Sequence, residues 1–185
     1  MNMIIIRAIG VALLGGLAAF LAFGPGAAYG LHALALLLGW ASYSGFGGKL
    51  DGLAKSVAHS LAGAILGLAA IAFATQHAEF GRSVDFPIWA AIGVAVTLAL
   101  LVLSTRVALF ADFVALLLGY AAMAGTAQGV QLEDFLAPSL GNPALGAVLS
   151  LLIGAFLACG ADMLAEALGR TLPGRRPRAD RPASV

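Results

Sequence analysis

The chain has 185 residues, of which 61% are hydrophobic and 10% are charged, and its formal net charge is +1. Its mean hydropathy is +0.99. A soluble domain of this composition would leave far too much apolar surface in contact with water. The composition therefore excludes a soluble domain and indicates an integral membrane protein.

Six segments approach the length of about 20 apolar residues that a transmembrane helix needs. They are residues 3–23, 28–44, 56–75, 87–104, 107–125 and 143–168. Each segment is apolar throughout, whereas a strand of a membrane β-barrel would alternate apolar and polar residues. The sequence thus predicts an all-α, polytopic membrane protein with six transmembrane helices in a single membrane domain, residues 1–170.

Parts of the sequence recur at a nearly constant distance. LLLGWASYSG at 36–45 matches LLLGYAAMAG at 116–125, GAILGLAAIAF at 63–73 matches GAVLSLLIGAF at 146–156, and IGVA at 9–12 recurs at 92–95. These collinear matches, 80 to 83 residues apart, predict two copies of one three-helix unit, at about 3–76 and 86–168. Because each copy has an odd number of spans, the second enters the membrane with opposite polarity, which makes a 3+3 inverted repeat.

The basic residues predict the orientation. With six spans, both termini lie on one side of the membrane, and Arg82 is the only basic residue expected on the other side. The side of the termini collects Arg7, Lys49, Lys55, Arg106, Arg170, Arg175, Arg176, Arg178 and Arg181. The positive-inside rule then places both termini in the cytoplasm, and the protein in the cytoplasmic membrane. The basic tail, residues 171–185, is expected to be disordered and to bind anionic lipid headgroups, with no nucleic-acid partner.

Catalytic and cofactor signatures are missing from the sequence. Cys159, the single cysteine, lies in the sixth segment, so neither a disulfide framework nor a CxxC pair can form, and a packing role is expected. No phosphate-binding loop, HExxH motif or supported Ser/His/Asp set occurs. We therefore expect no enzyme activity, no cofactor and no metal site.

Two ionisable residues occupy matching places in the two copies. His32 lies near the start of the second segment, and Asp112 lies 80 residues later, near the start of the fifth. Inverted symmetry would place them at opposite mouths of the protein, where each could serve as a vestibule residue that attracts a polar solute. The alternative is that both side chains extend to a membrane interface.

A pair of aromatic residues also recurs, because Trp40 and Tyr120 both follow the shared LLLG. Past them each copy becomes small or polar, and helix ends rich in glycine leave carbonyl groups that only protein or water can satisfy. We expect a narrow passage for solute between the two helix ends. Its predicted lining residues are Trp40, Ser42, Tyr43, Ser44, Tyr120, Met123 and Thr126. The alternative is a core aromatic with an ordinary glycine cap.

Polar residues stand at the expected start of the third span of each copy, where they could cap the helix or bind solute. They are Ser56 and His59 in one copy and Ser139 and Asn142 in the other. Capping is the favoured interpretation. Small residues at intervals of four, such as Gly63 and Gly67, would let helices approach closely, and a homo-oligomer is expected for so thin a bundle.

Long stretches of the chain resemble a known family. GWASYSGFGGKLDGLAKSVAHSLAGAILGLA, GYAAMAGTAQG and PSLGNPALGAVLSLLIGAFLA are similar to the YcdZ-like bacterial inner-membrane family, a domain of unknown function (family 1097). The similarity extends to about residue 167 and leaves out the basic tail. The resemblance implies a compact polytopic protein of the cytoplasmic membrane and supplies no functional residues.

The scarcity of charge within the spans guides the choice of function. Coupled carriers usually keep acidic residues deep in the bundle, and ion channels use charged rings or carbonyl filters. The leading hypothesis is a channel or facilitator for a small, polar, mostly uncharged solute such as urea or a urea-like amide. One alternative is a carrier for a guanidino or amine cation that Asp112 would neutralise, and another is a non-transporting membrane scaffold that recruits a partner or lipid through its tail.

Overall fold

A computed structural model describes residues 3–80, 83–127, 130–131, 134–135, 137, 139 and 141–171, and all regular structure in these residues is helical. The α-helices are α1 (Met3–Phe23), α2 (Ala33–Gly45), α3 (Lys49–Thr75), α4 (His77–Phe80), α5 (Phe86–Ser104), α6 (Phe113–Thr126) and α7 (Pro143–Thr171). Short 3-10 turns at Ala27–Tyr29 and Ala108–Phe110 precede α2 and α6. The predicted all-α membrane-type architecture is confirmed at this level.

Four helical stretches in the described residues are long and apolar enough to cross a membrane: Ile4–Phe23, Lys49–Phe80, Phe86–Ser104 and Pro143–Arg170. Helices α2 and α6 have only 13 and 14 residues. At 1.5 Å per residue each extends about 20 Å, against a hydrocarbon core of about 30 Å. The prediction of membrane-length helices over 28–44 and 107–125 is therefore wrong. Each segment begins with a 3-10 turn and an extended residue, and the helix starts only after them.

Helix α3 begins at Lys49, seven residues before the predicted start. Hydropathy alone missed its first two turns because they contain charged residues. These charges suit a helix start, since Asp51 lies at the positive end of the helix dipole and Lys55 pairs with it over 2.8 Å at i,i+4. Ser56 and His59 consequently lie inside α3, and their predicted place at a helix start is wrong.

The short helices pack beside the long ones in parallel pairs. Helix α6 accompanies α3, because Leu116 meets Gly63 one turn after Asp112 meets His59. Helix α2 accompanies α7, because Leu36 meets Gly154 one turn after His32 meets Ser150. Since α3 begins beside Asp162, late in α7, the two pairs run in opposite directions. Helix α1 packs on α7, and α5 packs on α3.

The two pairs make equivalent contacts. A Cβ on Gly63 of α3 would overlap the carbonyl oxygen of Leu116, and a Cβ on Gly154 of α7 would overlap that of Leu36. The Asp112 backbone N–H donates to Nε2 of His59, just as the His32 backbone N–H donates to Oγ of Ser150. The equivalent residues on the short helices, such as Leu36 and Leu116, are 80 positions apart in sequence. Those on the long helices, such as Gly63 and Gly154, are 91 positions apart.

The contact register therefore differs from the sequence match. The match over 63–73 and 146–156 pairs Gly63 with Gly146, whereas the contacts pair Gly63 with Gly154. Sequence segments composed mainly of Ala, Leu and Gly can be aligned in several registers. The close approach of two helix backbones in the structure is compatible with only one of these registers. The eleven residues of difference between 80 and 91 lie in the α6–α7 connection, 127–142, which is much longer than the α2–α3 connection, 46–48.

Candidate functional site

Two cavities lie at the basic end of the bundle, which is the end that carries Arg7, Lys49, Lys55, Arg106 and Arg170. Two adjoining cavities there, of about 380 and 400 Å³, share Arg7, Tyr43, Gly47 and Asp162, and we call them together the Asp162 cavity. Their other lining residues include Trp40, Ser44, Gly48, Lys49, Cys159 and Glu166. The cavity therefore lies where α1, α2 and α7 converge.

Asp162 is the centre of the polar contacts in this cavity. The Tyr43 hydroxyl donates to Oδ2 of Asp162 at 3.2 Å, and a guanidinium nitrogen of Arg7 lies 3.7 Å from Oδ1. Tyr43 is 1% exposed, so its ring belongs to the core, where it packs with Ala155, Ala158 and Cys159. The Arg7 side chain is 68% exposed and that of Asp162 is 35% exposed. The carboxylate is thus held from its buried side and accessible from the cavity.

The turn between α2 and α3 closes over this carboxylate. Gly47, Gly48 and Lys49 all have positive φ, of 75°, 81° and 65°. A Cβ on Gly48 would lie 2.8 Å from Oδ2 of Asp162 and 3.4 Å from the Tyr43 hydroxyl. Glycine at position 48 therefore permits the positive φ of the turn and avoids a clash with the carboxylate.

A second polar cluster joins α2 to α3 inside the bundle. Ser56 and Ser60 each donate to Oγ of Ser42, over 2.8 and 3.1 Å. All three residues are buried, with exposures of 0 to 3%. Ser42 thus lies apart from the cavity, in a hydrogen-bonded helix contact, although the sequence placed it with the lining residues.

His59 joins the basic end of α3 to the start of α6. Its Nδ1 lies 2.8 Å from the Lys55 carbonyl oxygen, and its Nε2 accepts from the Asp112 backbone N–H at 3.3 Å. Because a backbone N–H can only donate, these two bonds require the neutral imidazole with its proton on Nδ1. The ring lies between Phe46 and Phe110, at centroid distances of 4.9 and 6.1 Å.

The two expected vestibule residues both stand directly before a short helix. Asp112 caps α6, since its Oδ1 accepts from the Ala115 backbone N–H at 2.8 Å. His32 occupies the same position before α2, where its side chain makes no capping hydrogen bond. Their shared feature is the backbone N–H, which each donates to a side chain of the accompanying long helix.

The structure does not bring Trp40 and Tyr120 together. Trp40 lines the Asp162 cavity, whereas Tyr120 is buried in a separate cluster with Ala70, Leu101 and Leu116. The Tyr120 hydroxyl shares a hydrogen bond of 3.0 Å with Oγ1 of Thr97 on α5. The environment of Tyr120 thus matches the alternative that the sequence left open, a core aromatic.

The remaining predicted residues divide between the two ends. Ser44 lines the Asp162 cavity, and its Oγ donates to the Trp40 carbonyl at 3.1 Å. Met123 is 1% exposed in the apolar core, and Oγ1 of the buried Thr126 donates to the Met123 carbonyl at 2.8 Å. Both lie in the second half of the chain, away from the cavity.

Asn142 and Ser139 precede α7 at the end opposite the basic end. Oδ1 of Asn142 accepts from the Ala144 backbone N–H at 2.7 Å, which is the capping role that the sequence favoured. Its Nδ2 donates to the carbonyls of Phe135 and Ala137 at 2.9 and 2.7 Å. Ser139 contributes its backbone carbonyl, which accepts from the Asn142 N–H. Asn142 therefore fastens the long α6–α7 connection to the start of α7.

Sequence reasoning did not single out Arg7 and Asp162 as a pair. Arg7 served only as an orientation signal, and Asp162 was assigned no role. A pairing signal existed, because opposite charges interrupt the first and the last apolar segment near the same predicted face. Among the described residues, no group of three or more His, Cys, Asp or Glu is arranged to hold a metal ion.

A family model described as "Protein of unknown function (DUF1097)" matches residues 8–166, which confirms the family resemblance. Neither the curated proteins nor the solved structures contain a match to the chain. The predicted basic tail falls almost wholly on 172–185, outside the described residues, as do Arg82 and residues 128–129.

Proposed function

The chain belongs to the DUF1097 family of proteins of unknown function, and from this premise we propose that it is a transport protein rather than an enzyme. It acts as a passive facilitator for a small, polar, mostly uncharged solute, with urea or a urea-like amide as the first candidate. It crosses the cytoplasmic membrane six times as a 3+3 inverted repeat, with α2 and α6 as the two short spans.

The matched pair of interrupted segments carries this proposal. Before α2 and before α6 the chain leaves helical geometry, and the backbone N–H of His32 or Asp112 bonds to a side chain of α7 or α3. Non-helical backbone at membrane depth is tolerated where protein buries it or water reaches it. Paired broken helices in two oppositely directed halves are typical of solute pathways in transport proteins.

The charges at the two ends support the orientation. Arg7, Lys49, Lys55, Arg106 and Arg170 all belong to the basic end. An excess of Lys and Arg marks the cytoplasmic side of a membrane protein. In this orientation the Asp162 cavity opens toward the cytoplasm.

A neutral solute fits the described residues better than a lone cation at Asp112. The Asp112 carboxylate is engaged as the cap of α6, through its bond to the Ala115 N–H. The Asp162 cavity contains a carboxylate together with the guanidinium of Arg7, so its charges oppose each other. A facilitator of neutral solute needs neither a coupling ion nor an unpaired charge.

Flux through purified protein tests the proposal. The protein is reconstituted into liposomes, and osmotic shrinkage and swelling are followed with urea, formamide, glycerol, guanidinium and water. We expect urea and formamide to cross faster than through empty liposomes, and guanidinium to cross no faster. If no solute crosses faster than through empty liposomes, the facilitator is refuted. Faster flux of guanidinium than of urea would favour the cation carrier.

A further inference from the structure

We propose that the Asp162 cavity is the solute-binding site at the basic end, and that it selects a neutral solute which both donates and accepts hydrogen bonds, as an amide does. This inference rests on the proposed function and deepens it by naming the site and the chemistry of its ligand. The site consists of Arg7, Trp40, Tyr43 and Asp162, under the turn at Gly48.

The charges lining the cavity balance. Two basic side chains, Arg7 and Lys49, face the cavity together with two acidic ones, Asp162 and Glu166. A site for a cation or an anion is expected to have an excess of the opposite charge, because binding partners match in electrostatic potential. A formally neutral lining that contains both signs instead matches a dipolar, uncharged ligand.

Hydrogen-bonding capacity of both kinds remains at the centre of the site. A carboxylate offers about four lone-pair sites, and the hydrogen bond from Tyr43 uses one of those of Asp162. The Arg7 guanidinium has five N–H donors in a planar fork and lies 3.7 Å from the carboxylate, beyond an ideal charge-assisted bond. An amide can therefore donate its N–H to Asp162 while its carbonyl oxygen accepts from Arg7.

The walls of the cavity suit a small planar molecule. Trp40 lines the cavity and supplies aromatic surface, and glycine at position 48 keeps side-chain atoms away from Asp162. Each of the two adjoining volumes, about 380 and 400 Å³, lies within the usual size range of small-molecule sites.

Comparison with the opposite end of the bundle shows that the fold does not require these polar residues. At the contact-equivalent positions, Tyr43 is replaced by Met123 and Asp162 by Ile71. The serines behave likewise, since Ser42, Ser56 and Ser60 correspond to Ala122, Ala147 and Leu151. All five replacements belong to one buried apolar cluster. The same backbone arrangement is thus stable with an apolar filling, and the polar filling at the basic end needs another reason, which ligand binding supplies.

Cys159 provides a test that does not depend on flux. It is the only cysteine of the chain, it lines the cavity, and it is 5% exposed. The rate at which a small methanethiosulfonate reagent labels Cys159 is measured in liposomes with and without acetamide. We expect acetamide to slow the labelling severalfold. We expect the acetamide concentration that gives half of this protection to rise about tenfold in Asp162→Asn, because a hydrogen bond to a charged acceptor is lost.

The matched control is Asp51→Asn, which removes a carboxylate that is 80% exposed and paired with Lys55 outside the cavity. It should leave the protection unchanged, and Tyr43→Phe serves as a second cavity variant if Asp162→Asn does not fold. Labelling that acetamide does not affect, or the absence of any labelling, overturns the proposed site. Urea flux without protection refutes the site and leaves the facilitator intact, whereas protection without flux supports the site and refutes the facilitator.

Discussion

At the scale of single residues, glycine sets the distance between the short and the long helices. Gly63 and Gly154 each lie against a carbonyl oxygen of the neighbouring helix, with no room for a methyl group. In a membrane the hydrophobic effect does not drive apolar helices together. Their association depends instead on the van der Waals contact that a close approach of the backbones provides. These two positions therefore determine the register in which the halves of the molecule pack.

Replacing Gly154 by Ala is expected to destabilise the protein, because the new methyl group must push α2 away from α7. Overpacking of this kind costs about 1 to 3 kcal/mol. The measurement is the melting temperature of the purified protein in detergent. Gly16→Ala in α1 is the control, since nothing lies within 4 Å of a Cβ at that position. Equal melting temperatures for the two variants would contradict the packing described for Gly154.

Asp112 separates the cation carrier from the neutral facilitator. Asparagine can still cap α6 by accepting from the Ala115 N–H, so Asp112→Asn should leave stability and urea flux close to wild type. Asp112→Ala removes the cap and should lower stability by about 1 kcal/mol. Thermal unfolding and liposome flux measure the two effects. Loss of all flux in Asp112→Asn would support a charge-dependent role and count against the neutral facilitator.

At the scale of elements, the α6–α7 connection distinguishes the two ends of the bundle. It is longer than its counterpart between α2 and α3, and it buries Phe135 to 1% exposure in the apolar core. Asn142 holds the Phe135 carbonyl, so the connection is fastened to the start of α7. The end opposite the basic end thus has a buried aromatic side chain beside a cavity of about 210 Å³, whereas the two cavities at the basic end are about 380 and 400 Å³.

Phe135→Ala is expected to enlarge the cavity at this end. The variant should lose about 3 kcal/mol or more of stability because it leaves a hole in the core, and urea flux per folded protein should rise. Detergent unfolding and liposome flux are measured together, with Phe156→Ala as the control, since Phe156 is exposed on α7. A loss of stability with unchanged flux would show that Phe135 only packs the core.

At the scale of the whole molecule, the two ends of the bundle share a backbone arrangement and differ in the side chains packed there. Hydroxyl, carboxylate and phenol groups lie near the basic end, and the equivalent positions at the opposite end are apolar. This difference distinguishes the two ends of the molecule. The expected homo-oligomer stays a prediction.

Reporter fusions test the orientation of these two ends across the membrane. A fluorescent protein fused after Val185 should fold and fluoresce, because the C-terminus is expected in the cytoplasm. Alkaline phosphatase inserted after Glu79 should be active, because α4 lies at the end opposite the basic end. The reverse pattern of activities would place the Asp162 cavity on the outer side and contradict the proposed orientation.

Hydropathy and repetition were enough to predict the helical membrane architecture, the bounds of α1, and the cap at Asn142. These features follow from local properties, namely apolar length and the preference of a short polar side chain for a helix start. The lengths of α2 and α6 did not follow, because hydropathy measures side chains and does not distinguish a helix from a 3-10 turn or an extended segment of the same apolar residues. Hydrogen bonds from His32 and Asp112 to other helices select among these.

The register of the long helices and the pairing of Arg7 with Asp162 likewise come from contacts between distant parts of the chain. Arg7 and Asp162, which are 155 positions apart in sequence, meet because α1 packs on α7. The hydropathy pattern of the sequence does not show which helices are neighbours. Composition makes this chain a membrane protein through the transfer of apolar groups out of water, a term that adds up residue by residue. Where its polar groups converge depends on how closely its glycines let the helices approach, which exists only in the packed molecule.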